Sequence, residues 1–363
     1  MRNGFNLIAI LGLVITLMPC IKAGDPHSME YIQIFTTSEC HYKEPIGHDY
    51  LYIEKVDFAK GKESIIDSLD AEPYNFYRGF NSIYYDLNNR RIFFDRLLYD
   101  KENYLNVLDL NTKQITELPY AAFAGYFEDI IITPQSKYII FECLPESIDT
   151  TIDVIYQINT VVLDGKTLRK LAEKIDMGLM LQSAFVLPAN DRLYDVRFHP
   201  KDEIVTYSLP DLAPLDTIRD YELGWLGQKG IADRSGNTIL FTGLKIDNAD
   251  SSLCAFLYDG VSQKICSDII TLPKEYYRYA NIRLTPDARE IIIMDGDLGI
   301  IERYSANTGE LLGQMQGLPI IELAGFREDG NLYVSDLNTG NYIVIDYKKC
   351  RILRTFKFKR VTR

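Results

Sequence analysis

Five residues near the N-terminus have side chains that could do chemistry together: Cys40, His41, Glu44, His48 and Asp49. Thiolate, imidazole and carboxylate are the ligand types of a transition metal. A cysteine paired with His48 would be a nucleophilic pair, a weaker reading than the metal site. The spacing matches no closed metal site, and polar residues this near in one loop also fall together with no ligand to hold. A solvated loop is the competing reading. Cys40 is followed directly by His41, so the C-x-x-C-H pattern of haem attachment is absent. Asp295 and Asp297 alternate with glycine as in a calcium loop, but the further oxygen ligands are missing, and a tight turn accounts for them. His199, in Arg-Phe-His-Pro, reads as a turn residue, and His27 lies beside a candidate cleavage site. The chain has no G-x-S-x-G elbow, no H-E-x-x-H, no phosphate loop and no dinucleotide fingerprint. Carboxylates are too numerous for a single sequence to single out an acid–base pair. No catalytic, cofactor-binding or metal-ligating residue is assigned.

The cysteines pose a second chemical question. Without Cys20 there remain Cys40, Cys143, Cys254, Cys266 and Cys350, an odd set that leaves at least one thiol unpaired within the chain. Cys254 and Cys266 each lie six residues from Gly260. A hairpin symmetric about Gly260 would set them opposite each other, with Cα atoms about 4.5 or 5.5 Å apart. A disulfide spans that distance, so the expectation is a Cys254–Cys266 bond. A slip of one residue would send the two side chains to opposite faces.

These residues must be positioned by short strands. Residues 276–314 show the unit: 280–284 as a strand, Thr-Pro-Asp as a turn, 290–294, Gly-Asp, 299–304, Asn-Thr-Gly, and a last strand from Glu310. Runs of Ile, Val and Tyr bounded by Pro, Gly, Asn and Asp favour extended pairing with tight reversals. An aliphatic or Tyr residue followed by a turn starter recurs at Val56-Asp57, Leu108-Asp109, Leu163-Asp164, Tyr207-Ser208, Tyr258-Asp259, Tyr304-Ser305 and Ile345-Asp346. The intervals run from 41 to 55 residues, the period of a β-propeller. Each site marks a third-to-fourth strand hairpin, so seven four-stranded antiparallel blades are expected. First-to-second turns follow at Asn88-Asn89, 134–137, Asn190-Asp191, 235–237, Pro286-Asp287 and Asp329-Gly330. The first blade has no evident counterpart, and residues 31–35 form a strand that belongs either to that blade or to the last.

Bulk properties bound the function. With 363 residues, 47% hydrophobic and 25% charged, the chain is globular. Its formal charge of −12 opposes a nucleic-acid partner, which needs a basic stripe. Arg2, an apolar run over 7–18 and Ile21-Lys22-Ala23 form a signal peptide over 1–23. Residues 24–30 are then a linker and 31–363 the propeller, in a periplasmic or secreted protein. The apolar run is shorter than the about 20 residues of a membrane span. Cleavage after Ala23 would take the charge from −12 to −14. Cys20 fits a lipoprotein, but Pro19 stands where a small residue belongs.

Two departures from the repeat mark candidate interaction sites. Residues 142–159 are a long insertion between the second and third strands of the third blade, with Glu142, Glu146, Asp149 and Asp153 and no basic residue. Long loops of this kind are functional or mobile, and the expectation is a partner-binding loop, with a solvated acidic loop as the bland alternative. The C-terminus carries Lys348, Lys349, Arg351, Arg354, Lys357, Lys359, Arg360 and Arg363. These either dock a partner or guard an edge strand against pairing.

Leu272-Pro273-x-x-Tyr276-Tyr277, Thr285-Pro286-Asp287, Gly296-Asp297-Leu298 and Thr308-Gly309-Glu310 form one characteristic series. Thr133-Pro134, Tyr138-Ile-Ile, the insertion, and Val162-Leu163-Asp164 with Lys166-Thr167-Leu168 form another. On these stretches the chain resembles seven-bladed propellers of the YVTN type, in particular the β subunit of quinohaemoprotein amine dehydrogenase. The resemblance implies a propeller with no cofactor of its own, which walls a substrate cavity while quinone and haem sit on partner subunits. It transfers no catalytic residue. A non-catalytic scaffold of a periplasmic quinone-dependent amine dehydrogenase is therefore expected. A stand-alone exported propeller binding a protein or cell-envelope ligand is the alternative, and a channel-mouth enzyme such as a lactonase is a third.

Overall fold

The computed structural model describes residues 30–36, 50–57, 62–70, 83–95, 104–121, 130–144, 158–175, 184–187, 191–197, 203–218, 225–226, 231–232, 237–247, 250–272, 280–326, 330–336, 338–339 and 341–357. Their strands fall into seven antiparallel sheets in chain order. The first holds β1 (Glu30–Thr36), β2 (Tyr50–Asp57) and β3 (Lys62–Asp70). The second holds β4 (Ile83–Asp86), β5 (Arg91–Asp95), β6 (Tyr104–Asp109) and β7 (Gln114–Ala121). In the third are β8 (Ile130–Ile132), β9 (Tyr138–Cys143), β10 (Asn159–Asp164) and β11 (Lys170–Ile175). The fourth has β12 (Phe185–Leu187), β13 (Arg192–Arg197), β14 (Glu203–Ser208) and β15 (Pro214–Ile218).

The fifth departs from four plain strands. A long hairpin of β18 (Thr238–Asp247) and β19 (Asp250–Asp259) is flanked on one side by two short strands, β16 (Trp225–Leu226) and β17 (Ile231–Ala232). On the other side lie β20 (Lys264–Ile265) and β21 (Ile270–Leu272). The sixth sheet is β22 (Ala280–Leu284), β23 (Glu290–Asp295), β24 (Ile300–Ser305) and β25 (Leu311–Met315). The seventh is β26 (Ile321–Phe326), β27 (Leu332–Asp336), β28 (Asn341–Asp346) and β29 (Arg351–Lys357). A strand ends at each of the seven expected positions, Asp57, Asp109, Asp164, Ser208, Asp259, Ser305 and Asp346. The strand at residues 31–35 pairs with β2 and so belongs to the first sheet.

The middle strands are buried on both faces, and alternate residues serve different neighbours. In the third sheet Ile139, Phe141, Val161 and Leu163 pack on Tyr84, Phe93, Leu105 and Val107 of the second. Their sequence neighbours Tyr138, Ile140 and Val162 pack on Leu193, Val205 and Tyr207 of the fourth. The same division recurs along β19: Leu253, Ala255 and Leu257 meet the sixth sheet, while Cys254, Phe256 and Tyr258 meet the fourth. Ile292 and Met294 of β23 then meet Leu332, Val334, Ile343 and Ile345 of the seventh. A strand with period-2 geometry and two apolar neighbours must read as a continuous apolar run, as Ile291 to Met294 does. Each such Ile or Leu stabilises the stack by roughly 1.5–3 kcal/mol. The first sheet is tied to the second by an ion pair, Arg90 Nη2 to Asp67 Oδ2 at 2.5 Å.

The hairpins share one construction. Lys113, Leu168, Leu212, Gln263 and Gly309 each donate their backbone N–H, at 2.8–2.9 Å, to the carbonyl four residues earlier, at the third strand's last residue. These five residues and Cys350 all have positive φ, from 49° to 70°. Only one of the six is glycine, so the turn holds L-residues in the left-handed region at a cost of roughly 1–2 kcal/mol each. The strand-end side chain offsets it. Asp109 Oδ1 accepts from Asn111 N and Thr112 N at 2.8 and 3.0 Å. Asp164 Oδ1 accepts from Lys166 N and Thr167 N at 3.1 and 2.7 Å. Asp259 accepts from Val261 N at 2.9 Å and Ser262 Oγ at 2.7 Å. Those are Asx turns.

Where two sheets meet, a polar latch joins their turns. The buried Asp86 carboxylate accepts from Asn88 N, Asn89 N and the Ser136 hydroxyl of the third sheet. Asn89 Nδ2 and Arg91 Nη1 both donate to Gly165 O at 3.1 Å. Gly165 has no room for a side chain, because a Cβ would stand 1.8 Å from Ser136 O.

Hydrogen bonds from Thr112, Thr167 and Ser262 hold the carboxyls of Asp109, Asp164 and Asp259 below the ordinary 3.8. A carboxyl more acidic in the fold than in the unfolded chain contributes stability above the unfolded value and loses it as pH falls through the folded one. Stability against urea should therefore fall from about pH 4 downward, and the triple Asp→Asn variant at 109, 164 and 259 should flatten that acid limb. Each single Asp→Ala change should lower stability at neutral pH by about 1 kcal/mol. An unchanged acid limb in the triple variant would refute the assignment.

Candidate interaction surface

The residues singled out from the sequence scatter. Cys40, His41, Glu44, His48 and Asp49, with His27 and His199, lie outside the described residues, as do Glu146, Asp149 and Asp153 of the insertion. Glu142 and Asn159, read from the sequence as the ends of that insertion, are instead strand residues. Glu142 is paired with Thr160, and Asn159 with Cys143. Asn159 Nδ2 donates to Glu173 Oε1 at 2.7 Å, closing the ladder beneath the insertion. Asp295 and Asp297 sit in a tight β23–β24 turn, in which Asp295 Oδ1 accepts from Leu298 N at 3.0 Å. Among the described residues no group of three or more His, Cys, Asp or Glu is placed to hold a metal ion.

The Cys254–Cys266 disulfide is not formed. Its premise, a hairpin centred on Gly260, is overturned by the register. Asp259 pairs with Lys264 and Tyr258 with Ile265, so the turn is centred between Val261 and Ser262. Cys266 therefore stands beside Leu257, to whose carbonyl its N–H donates at 2.9 Å. Cys254 lies opposite Gly243 and Thr271, buried against the fourth sheet. Cys266 is exposed. Its thiol is pushed up chiefly by partial burial, with Asp259 adding to the effect. Burial pushes the Cys143 thiol up to about 12, so it stays protonated and inert at neutral pH.

The most distinctive exposed surface lies on the outer strands of the sixth and seventh sheets. Blades fan outward, so an outer strand loses the neighbours that cover an inner one. Leu311 and Leu312 at the start of β25 are 49% and 44% exposed, and Ile352 and Leu353 of β29 are 47% and 43% exposed. The two strands approach where a Cβ on Gly313 would lie 3.3 Å from Cys350 Sγ and 3.5 Å from Arg303 Nη1. Arg303 braces this junction. Its Nε donates to Glu290 at 2.8 Å, its Nη1 donates to Lys348 O at 3.0 Å, and its guanidinium lies 5.4 Å from the Tyr347 ring centre. Burial opposes the Arg303 charge, but the Glu290 hydrogen bond and attraction outweigh it and raise its pKa.

Cations flank Ile352 and Leu353 along the chain. Lys348, Lys349, Arg351, Arg354 and Lys357 are all exposed. Among the described residues Asp346 answers Lys349 and Arg351, at 3.6 Å each, and Arg354 stacks over Phe356 at 5.3 Å. On a chain of net charge −12 this is a local reversal of sign. Among the described residues β29 pairs with β28 alone, the position at which the edge-guarding reading would place such charges.

No protein-family model matches the chain, and no curated protein matches its sequence. Solved structures do match in fold. The hydrazine synthase of Kuenenia stuttgartiensis superposes with a TM-score of 0.51 at 11% identity, over 82% of this chain and 92% of that one. The dihydro-heme d1 dehydrogenase NirN, in complex with DHE, gives 0.52 at 8% identity, over 92% and 68%. Hsv2 of Kluyvelomyces marxianus gives 0.52 at 10% identity, over 86% and 95%. The fold is an all-β propeller built of antiparallel, mostly four-stranded sheets.

Two outcomes follow from this surface. Replacing Arg351 and Lys357 of β29 by Ile should make the protein self-associate in sedimentation velocity, because the edge loses its guards; a monomer at all concentrations would contradict the edge role. In the native protein iodoacetamide should modify Cys266 and leave Cys143 and Cys254 untouched until denaturant is added. A native digest in which Cys266 resists alkylation would oppose the exposed, unbridged thiol.

Proposed function

We propose that this chain is an exported scaffold propeller, of seven blades, that holds a protein partner on the outer strands of its sixth and seventh sheets. The observation that carries the reading is the exposure of Leu311, Leu312, Ile352 and Leu353, each more than two-fifths open, on two outer strands that approach at Gly313 and Cys350, with exposed cations along the second of them. An apolar centre within a charged rim is the anatomy of a protein interface, and the sign of the rim calls for an acidic partner face. The acidic insertion, with Glu146, Asp149 and Asp153, is a second contact of opposite sign. The resemblance to the β subunit of quinohaemoprotein amine dehydrogenase supports the finer assignment. On it, this chain is the non-catalytic subunit of a periplasmic quinone-dependent amine dehydrogenase, with quinone and haem on its partners. Hydrazine synthase and a dihydro-heme d1 dehydrogenase are enzymes by name, and each contains a similar fold. At 8–11% identity they speak for the architecture, and the surface speaks for the role.

The test is to purify the tagged chain from its source and assay the preparation for haem absorbance and amine-dependent dye reduction. Both should co-purify with the wild-type chain. Leu312→Glu with Leu353→Glu should cut recovery of both at least about tenfold, as loss of interface anchors worth more than 1.4 kcal/mol would. The melting temperature should stay within a few degrees, since the side chains are half open. Deleting 146–153 should weaken association in the same assay. A wild-type preparation without haem or amine oxidation would leave the stand-alone binding propeller as the function.

A further inference from the structure

The seams between neighbouring sheets reuse the same three positions, and at one seam all three carry an unsatisfied polar atom. The positions are counted from the last residue of a third strand, which meets the fourth strand five residues later, as Asp109 meets Gln114 and Asp346 meets Arg351. The residue two before that end faces the following sheet, and the residue one before it faces the preceding sheet. The left-handed turn residue four after it also turns back to the preceding sheet. Between the second and third sheets these residues are Val107, Leu163 and Leu168, packed in one cluster. Between the third and fourth they are Val162, Tyr207 and Leu212, again in one cluster. Between the fifth and sixth they are Leu257 and Tyr304 with Gly309, where an added Cβ would stand 3.1 Å from Ile270 Cβ. The three positions therefore converge at every one of these seams.

Between the fourth and fifth sheets the same positions hold Thr206, Tyr258 and Gln263. Thr206 and Tyr258 are fully buried. Thr206 Oγ1, Tyr258 Oη and Gln263 Nε2 are shut off from solvent, and none of the three has a hydrogen-bond partner. Buried polar groups are costly to leave unmade, so three at one seam call for an occupant. Charged groups stand beside them. Asp216 is the ladder partner of Thr206 and shares its face, and Ile218, two residues on, packs against the core between these two sheets. Arg192 Nη1 donates to Gly260 O across the seam at 3.4 Å. Burial first, then Tyr194 and Asp216, push the Tyr258 hydroxyl up, while Thr206 and Arg192 act the other way. The phenol thus has all four as neighbours and keeps its proton at neutral pH. Asp216 also lines an open cavity of about 390 Å³ with Pro214, Leu215 and Thr217.

We propose that the seam between the fourth and fifth sheets is a binding site for a neutral polyhydroxy molecule of monosaccharide size, entered through the cavity beside Asp216. The donor set selects that class. Gln263 Nε2 only donates, whereas the Thr206 and Tyr258 hydroxyls can donate and accept, and neighbouring hydroxyls on one ligand answer all three. The Asp216 carboxylate accepts from a further hydroxyl at the mouth. One carboxylate and one guanidinium give the site no net charge, which disfavours an ion. The cavity falls within the about 300–1,000 Å³ of small-ligand sites, and a single water, at about 30 Å³, would leave most of it unused. This inference rests on the seam alone and stands or falls separately from the docking surface on the outer strands.

The test titrates the full-length chain with D-glucose, D-galactose, D-mannose and N-acetyl-D-glucosamine, followed by melting temperature and saturation-transfer NMR. At least one sugar should raise the melting temperature and receive saturation; if none does either at tens of millimolar, the proposal is overturned. Tyr258→Phe should melt at or above the wild-type temperature without sugar, because it removes a buried hydroxyl that has no partner. The same variant should weaken the apparent Kd of the bound sugar at least about fivefold, the loss of one hydrogen bond. Tyr304→Phe serves as the contrast. Its hydroxyl already bonds Glu302, so that variant should melt lower and bind sugar as the wild type does. If Tyr258→Phe melts lower without sugar, its hydroxyl holds a water or another group and the site is not a sugar site. Should Tyr258→Phe not fold, Thr206→Val takes its place with the same expected loss of affinity. Unchanged sugar binding in the substituted seam would put the sugar elsewhere and overturn the assignment.

Discussion

The structure depends on burying the middle strands of every sheet on both faces at once. Phe141 and Ile140 are adjacent in sequence and both fully buried, yet they belong to cores on opposite sides of the third sheet. No sheet could keep this arrangement alone, since one apolar face would always be open to water. Stacking sheet upon sheet is the solution that the apolar runs enforce. Some polar side chains, among them Asn106, Asp195, Thr206 and Glu302, are buried within the middle strands, and others gather at the strand ends. There the hairpin aspartates and the Asp86–Ser136 latch can satisfy turn N–H groups that would otherwise be orphaned. Apolar stacking stabilises the middle of each blade, and side-chain-to-backbone hydrogen bonds set where each strand stops.

That division governs what the sequence discloses. The strand ends at Asp57, Asp109, Asp164, Ser208, Asp259, Ser305 and Asp346 were legible because short polar residues, Asp or Ser, recur there, and those at Asp109, Asp164, Asp259, Ser305 and Asp346 accept hydrogen bonds from turn N–H groups. The hairpin register was less legible at Gly260, which invited a symmetric reading that would have joined Cys254 to Cys266. The residue with left-handed φ is Gln263, at 57°, and it moves the centre of the turn past Gly260. The constant five-residue interval seen elsewhere pointed to that outcome, since it pairs Asp259 with Lys264. Local composition misled at that turn where periodicity would not have.

Glu142 shows the opposite limit. As a charged residue beside a long acidic run it reads as loop, but it pairs with Thr160 inside a ladder whose last rung joins Cys143 to Asn159. Ladder membership is a property of two strands together, and one strand's charges do not report it. The interaction surface was only half legible for a related reason. The C-terminal cations stood out as a cluster. Leu311, Leu312, Ile352 and Leu353 did not, because an outer-strand aliphatic residue has the same local sequence as an inner one. Only the radial position of the strand decides whether its side chains are covered.

On the proposed function the outer strands combine two physical tasks that pull against each other. An open strand edge must not pair with another chain, which calls for charge and irregularity. A docking face must present apolar side chains, which invite association. In β29 the two tasks are separated along one strand. The exposed Arg351, Arg354 and Lys357 bracket the exposed Ile352 and Leu353 along the strand, so an approaching strand meets cations on either side of the aliphatic pair. A partner bearing carboxylates at matching positions would neutralise the cations and cover the aliphatic pair together. Selectivity of this kind comes from what the surface repels as much as from what it attracts. Asp346 limits the strength of that repulsion, since it already lies 3.6 Å from both Lys349 and Arg351. Arg354 and Lys357, away from that carboxylate, are left to carry most of the discrimination.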